Sequence, residues 1–183
     1  METPPPSSAP PPAAFPLRFK RVRAQDRALV ALVVQMMQAL AREEGQKAQL
    51  TVAGLSAQLR REAPDLRVWL AITARDPAAG EAGAGCVIGY PGFDVLSGVR
   101  GLHLCDLYVP PSFRRQGVAR ALLAHLAGAC LAEGLGWMSW TVSETNASAR
   151  CFYQSLGAQR VDVDFMALGV TSIQQLSRQI STL

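Results

Sequence analysis

The sequence predicts a mixed α/β domain, antiparallel in its first half and built of βα units in its second. Three observations carry this. Three short apolar runs, Val68–Thr73, Cys86–Tyr90 and Leu102–Val109, follow one another with only turn-rich segments between them. Apolar residues recur at helical spacing on either side of this run. After Val109, helical and strand-like patterns alternate.

The elements follow in order. Leu17 to Arg23 alternates apolar and basic residues, as a half-buried strand does. Asp26 is placed to cap a helix running to about Glu43, with Leu29, Val33, Met36 and Leu40 on one stripe and Gly45 ending it. Thr51 caps a second, shorter helix through about Arg61. Val68–Thr73 is a buried strand, Arg75–Gly85 a turn, and Cys86–Tyr90 a strand antiparallel to the one before. Pro91–Gly101 is a loop, and Leu102–Val109 a third strand closed by Pro110-Pro111. A helix from about Gly117 to Glu133 presents Val118, Leu122, Leu126 and Ala129 on one face. Trp137–Val142 is a strand. Asn146 caps a helix through Leu156, stopped by Gly157, with Ala149, Phe152, Tyr153 and Leu156 on one face. A final strand or hairpin over Gln159–Leu168 and a short helix complete the chain.

The 183 residues suit one domain with a real core. Met1 to Pro16 holds seven of the twelve prolines and a single charge. It reads as a flexible Pro-rich tail, which leaves 17–183 as the domain. It has no basic start followed by an apolar stretch, so it does not read as a secretory signal. A net charge of +4 does not point to nucleic acid, and no apolar run is long enough for a bilayer span. The four cysteines have neither C-x-x-C spacing nor histidines at ligand spacing. No metal site is expected, and the thiols read as reduced ones in a cytoplasmic protein.

The chemistry concentrates at Leu104–Leu123, L-C-D-L-Y-V-P-P-S-F-R-R-Q-G-V-A-R-A-L-L. A strand ends, a short basic loop follows, and a helix opens at Gly117. A helix start offers outward amides and a positive dipole end, which together suit phosphate. Gly117 and Ala119 let an anion approach the backbone, and Arg114, Arg115 and Arg120 add charge.

Arg114-Arg115-Gln116-Gly117-Val118-Ala119 resembles the pyrophosphate-binding signature R/Q-x-x-G-x-G/A of the GNAT acetyltransferase superfamily. Asn146-Ala147-Ser148-Ala149-Arg150-Cys151-Phe152-Tyr153-Gln154-Ser155-Leu156-Gly157-Ala158 is similar to its N-x-x-A-x-x-F-Y-x-x-L-G-A signature. The resemblance extends from Leu17 onward. It implies the GNAT fold, a central, mostly antiparallel mixed sheet with helices on both faces, and acetyl-CoA as co-substrate. The coenzyme is then held by Leu107, Tyr108, Val109, Arg114, Arg115, Gln116, Gly117, Val118, Ala119, Arg120, Asn146 and Ala149. Arg42-Glu43-Glu44, Leu50-Thr51 and G-L-H-L-C-D-L-Y-V look closest to the diamine and thialysine acetyltransferases, and this likeness implies a homodimer; the segment Asp164–Leu183 is apolar enough to take part in it. That subfamily has two acidic residues before L-Y/F-V. Here they are Cys105 and Asp106, so only Asp106 carries over.

An alkyl amine is only about one part in two thousand unprotonated at pH 7, and unmasking it costs ~4–5 kcal/mol. Asp106, directly or through a water, is the first candidate base, and Glu44 the second. With Cys105, both are expected to line the acceptor site. The free amine attacks the thioester carbonyl directly, and an amide of Leu107–Val109 stabilises the oxyanion. Tyr153, by the resemblance, protonates the leaving thiolate. A phenol of pKa about 10 suits a thiolate of about 8.5. Cys105 has no His–acid partner in view and reads as a lining thiol. Trp140 and Ser139 either line the pantetheine groove or pack the sheet. The expected reaction is acetyl transfer to a small-molecule primary amine, a diamine, polyamine or lysine-like amine. Acetylation of protein N-termini or lysines is one alternative. A coenzyme A-binding sensor without turnover is the other, disfavoured by Tyr153 and the intact loop.

Overall fold

The computed structural model describes residues 13–61, 66–73 and 81–180, without the side chains of residues 179 and 180. Most of the expected Pro-rich tail and of the turn at 75–85 lies outside the described residues. The chain divides into two units, Met1–Ser143 and Glu144–Leu183.

The first unit carries a five-stranded sheet. Its strands are β1 (Arg18–Arg21), β2 (Arg67–Thr73), β3 (Ala82–Asp94), β4 (Val99–Tyr108) and β5 (Trp137–Trp140), and they lie in sequence order. Three junctions are antiparallel, and β5 joins β4 in parallel. The stretch read as a loop from Pro91 to Gly101 is shorter than expected, because β3 and β4 continue as a ladder to Asp94 and Val99. Asp94 closes the turn by accepting from the Leu96 amide at 3.0 Å and the Ser97 hydroxyl at 2.6 Å.

Helix α1 (Arg27–Glu43) is long because it is rich in Ala, Leu, Val, Met and Gln with an apolar stripe. That stripe buries Val30, Val33, Val34, Met36 and Met37. The helix stops in a Schellman motif at Gly45, whose φ is +68°. The Gly45 amide donates to Arg42 O at 3.2 Å, and the Gln46 amide to Ala41 O at 2.7 Å. The expected Asp26 cap is not made. Its Oδ2 accepts instead from the Arg23 amide at 2.9 Å, outside the helix. Thr51 does cap α2 (Val52–Leu59), its Oγ1 accepting from Gly54 at 3.0 Å.

Val68, Leu70 and Ile72 of β2 meet Cys86, Ile88, Tyr108, α1 and Leu55 of α2 in one core. The opposite face of the sheet receives α3 (Val118–Ala132), which buries Val118, Leu122, Leu123 and Leu126. Gly85 of β3 lies under the start of α3. A Cβ there would sit 3.3 Å from Val118 Cγ1 and 3.1 Å from Tyr108 O, so a side chain at this crossing would press its neighbours back by a few tenths of an ångström.

One irregularity sets the polarity of β4. Val87 pairs with Leu107 and Ile88 with Asp106, but Gly89 pairs with Leu104. Cys105 is thus the extra residue of a β-bulge. Cross-strand partners share a face. Asp106 and Tyr108 therefore face α1 and α2 with Ile88 and Cys86, whereas Leu104 faces the α3 side.

The second unit contains α4 (Ala147–Gln154) and α5 (Val170–Ile180). Asn146 caps α4, its Oδ1 accepting from Ala149 at 3.0 Å, and Gly157, with φ +88°, follows its end. The strand or hairpin expected over Gln159–Leu168 is not formed. Val161, Val163 and Phe165 are 73%, 75% and 80% exposed. A strand needs a neighbour to satisfy its amides and carbonyls, and among the described residues no strand pairs with this segment.

Candidate active site

The loop between β4 and α3 is held by its own atoms. Pro111–Phe113 forms one 3₁₀ turn, with Phe113 N–H donating to Pro110 O at 2.8 Å. The Gln116 carboxamide donates to Ser112 O at 2.9 Å. Arg115 and Gly117 both have positive φ, +59° and +81°. Such left-handed residues turn successive amides toward one side, as in an anion-binding nest. For Arg115 this conformation is strained, a feature that clusters at ligand sites. Ala121 is the first residue of α3 to bond back, to Gly117 O at 3.0 Å, so the earlier amides face the helix mouth. Val118 is buried, and Ala119 is small and half-buried. Residues from the expected tail touch this loop: Ala14 N–H donates to Gln116 O at 3.2 Å, and the Phe15 and Phe113 rings lie 5.8 Å apart.

Strand β5 accompanies β4 only from Gly101 to Leu104. Beyond that point the same edge of β4, from Cys105 to Tyr108, has no strand beside it among the described residues. The backbone of Leu107, Tyr108 and Val109 runs along this open edge and leads directly into the loop. Ser139 hydrogen-bonds His103 Nδ1 at 3.0 Å, and Trp140 pairs with Leu104, so both belong to the paired part.

On the α1 face, a cleft of about 350 Å³ opens beside the bulge. Met37, Leu40, Leu50, Leu55 and Ile88 give it apolar walls, and Glu44, Cys105 and Asp106 are its acidic and thiol groups. The structure brings together all three residues that the sequence assigns to the acceptor. Half-burial pushes the Asp106 carboxyl above its usual range. Desolvation, then the nearby Asp106 charge, raises the Cys105 thiol, so it is a poor nucleophile at neutral pH. Glu44 is exposed at the helix end. A second cleft of about 270 Å³ is lined in part by Arg21, Arg23 and Arg67, but Arg21 and Arg67 both pair with Glu133.

Glu43 was missed by the sequence reading. Tyr108 donates its hydroxyl to Glu43 Oε1 at 2.8 Å, and Arg114 donates to Oε2 at 2.5 Å. Arg114 Nε also donates to Val109 O at 2.9 Å, and its guanidinium lies 5.6 Å from the centre of the Tyr108 ring. The Arg114 and then the Tyr108 hydrogen bond hold the Glu43 carboxyl below its usual range. Burial, and then Glu43, raises the Tyr108 phenol. One signal was available: an acid in the last turn of a helix opposes the dipole and calls for a compensating cation.

In the second unit, Tyr153 is half-buried on α4, with its ring 5.2 Å from that of Phe152. Burial raises its phenol above the ordinary value, so it stays protonated at neutral pH. Asn146 spends its carboxamide oxygen on the Ala149 amide, which fixes both residues named in the second signature. Among the described residues, no three His, Cys, Asp or Glu side chains form a metal-binding group, and no helix is long and apolar enough to cross a membrane. All four cysteines are free thiols.

The acetyltransferase (GNAT) family profile matches residues 34–158. Over 86 residues the chain is 33% identical to the thialysine N-epsilon-acetyltransferase of Bos taurus, which covers 45% of this chain and 50% of that enzyme. It is 30% identical over 76 residues to the L-ornithine N5-acetyltransferase of Arabidopsis thaliana, covering 42% and 33% respectively. These matches therefore span half or less of the curated relatives' length. The crystal structure of an aminoglycoside acetyltransferase from an uncultured soil metagenomic sample, in complex with sisomicin, aligns with a TM-score of 0.69. At 17% identity, over 83% of this chain and 95% of that one, this is a likeness of fold.

Proposed function

We propose that this chain, which belongs to the acetyltransferase (GNAT) family, transfers an acetyl group from acetyl-CoA to a primary amine of a small molecule. The observation that carries the proposal is the meeting of two features at one strand. The open edge of β4 leads into the left-handed Arg115–Gly117 loop, and Asp106 of the same strand faces an apolar cleft. The loop suits a pyrophosphate, because its amides face one helix mouth and Gly117 and Ala119 keep it uncrowded. The cleft suits an amine with an aliphatic stem.

The thioester supplies the electrophile, and the chain supplies everything around it. Asp106 draws the ammonium in, and its raised proton affinity makes it a better base than an exposed carboxylate. Glu44, at the mouth, suits a second cation on a diamine, polyamine or lysine-like acceptor. An amide of Leu107–Val109 stabilises the oxyanion as the amine attacks. Tyr153 gives its proton to the departing thiolate, a role that rests on the second signature and on the chemistry of a protonated phenol. The proposal also includes a cytoplasmic location, given the four free thiols. It further includes a homodimer formed through Asp164–Leu183, where Phe165, Met166 and Leu168 are exposed.

Acetyl-CoA should raise the melting temperature. Thiol release should then appear with small alkyl amines and not with peptides bearing N-terminal or lysine amines. Gly117→Glu places a charged side chain at φ +81° in the helix mouth. It should weaken acetyl-CoA binding about a hundredfold, on the order of 2.7 kcal/mol. Turnover on peptides alone would replace the acceptor assignment, and binding without turnover on any amine would favour a sensor.

A further inference from the structure

We infer that Glu43 and Arg114 are a pair of positioning residues that ties the wall of the acceptor cleft to the coenzyme loop. Arg114 thereby orders the loop and does not contact the pyrophosphate. The inference rests on the reading of the Arg115–Gly117 loop as the acetyl-CoA site and goes beyond it. The last turns of α1 serve two neighbours at once. Met37, Leu40 and Glu44 line the cleft, while Glu43 reaches Tyr108 and Arg114. Arg114 immediately precedes Arg115, the first of the two residues with positive φ. Its Nε holds the carbonyl of Val109, where β4 ends, and its other arm holds Glu43. One guanidinium thus fixes the end of β4, the entry to the loop and the end of α1.

Charge supports the same assignment. Glu43 stands at the C-terminal end of α1, where a carboxylate is disfavoured unless a cation compensates it. Arg114 compensates it, so its own charge is already balanced before any phosphate arrives. Arg114 also cannot turn to a phosphate without releasing Glu43, the Tyr108 ring and Val109 O. Whatever orders the loop then orders the cleft wall, and by linkage the reverse holds equally.

The test is a double-mutant cycle on the full chain with Glu43→Ala, Arg114→Ala and both together. Acetyl-CoA affinity is read by calorimetry, and acceptor KM and kcat by thiol release. Each single variant should weaken acetyl-CoA binding and raise acceptor KM about tenfold, and the double variant should be no worse than either single one. The melting temperature should change little, because both side chains are more than a third exposed. The salt dependence of acetyl-CoA binding should stay that of the wild type. Arg114→Lys keeps the charge and loses the fork, so it should behave like Arg114→Ala. The inference is overturned if Glu43→Ala binds acetyl-CoA normally, if the two effects multiply, or if Arg114→Lys restores wild-type affinity. Should a variant melt early, Tyr108→Phe replaces it, removing only the hydroxyl bond to Glu43, and an unchanged acceptor KM there overturns the inference as well. A wild-type chain that does not bind acetyl-CoA defeats the functional assignment, whereas multiplying effects in a chain that does bind it defeat this inference alone.

Discussion

The two units of the chain put their apolar residues to opposite ends. In the first, Leu70, Ile72, Leu102 and Leu122 are fully buried between a sheet and helices on both faces. In the second, Val161, Phe165, Ile173 and Leu176 are more than half exposed, and α4 has no fully buried residue. Burial separates them, and α4 and α5 are also less apolar than α2 and α3. A core forms where the chain folds back on itself within one sheet, and the second unit offers no such layer. Yet that unit carries the Asn146–Ala158 signature. Burial is thus concentrated in the first unit, whereas the second contributes the residue to which the proposed function gives the acid role.

The comparison is sharpened most by Tyr153→Phe, which removes one hydroxyl from the unit without a core. Turnover should fall by ~10²–10⁴, the usual worth of general acid catalysis. Acetyl-CoA affinity and melting temperature should be retained. Unchanged turnover means another group protonates the thiolate, and a large loss of stability instead makes the hydroxyl a structural one. Next in size comes a matched pair of truncations. Leu70→Ala, in the core, should cost about 2–5 kcal/mol in denaturant unfolding. Leu176→Ala, on the exposed face of α5, should stay within ~0.5 kcal/mol in dilute solution. It should, however, weaken the proposed dimer, as read by light scattering at tens of micromolar. Equal costs for the two would erase the contrast between the units.

The smallest effect is one of pH. Burial raises the Asp106 proton affinity, so its carboxylate forms only as pH climbs through that elevated value. Acceptor KM should fall over that window, and Asp106→Asn should abolish the change. Glu44 and Cys105 also line the cleft. For stability the sign is reversed. The folded state binds this proton more tightly than the unfolded chain, so stability contributed by the protonated carboxyl is lost as pH rises through the folded value.

Much of the fold was legible because its determinants are local. Thr51, Gly45, Asn146 and Gly157 act within a few residues, and the stripe of α1 needs only its period. The Arg115–Gly117 loop was legible for the same reason, as a strand end, small residues and a helix start in one run. What failed depended on partners that residue type and period do not name, whether near or far. Asp26 has the residue type of a cap but bonds the Arg23 amide before the helix. The Val161–Phe165 alternation has the period of a strand without a neighbour to pair with. Glu43 meets Tyr108 and Arg114 across more than sixty positions, so no window of sequence contains the three together.

The bulge at Cys105 has a consequence for how such a cleft can change over generations. Every other position near the mouth of the cleft on β4 has a residue opposite it on β3, so altering it asks for a matching change across the ladder. Position 105 has none. Its side chain can be exchanged for a larger, smaller or charged one while the ladder on either side keeps its pairing. Asp106 is held opposite Ile88, whereas its neighbour in the proposed acceptor cleft has no cross-strand residue to match. An acid there would favour a more highly charged acceptor, and a thiol a plainer one. Under the proposed function, a change of acceptor would have a natural starting point in this one bulged residue.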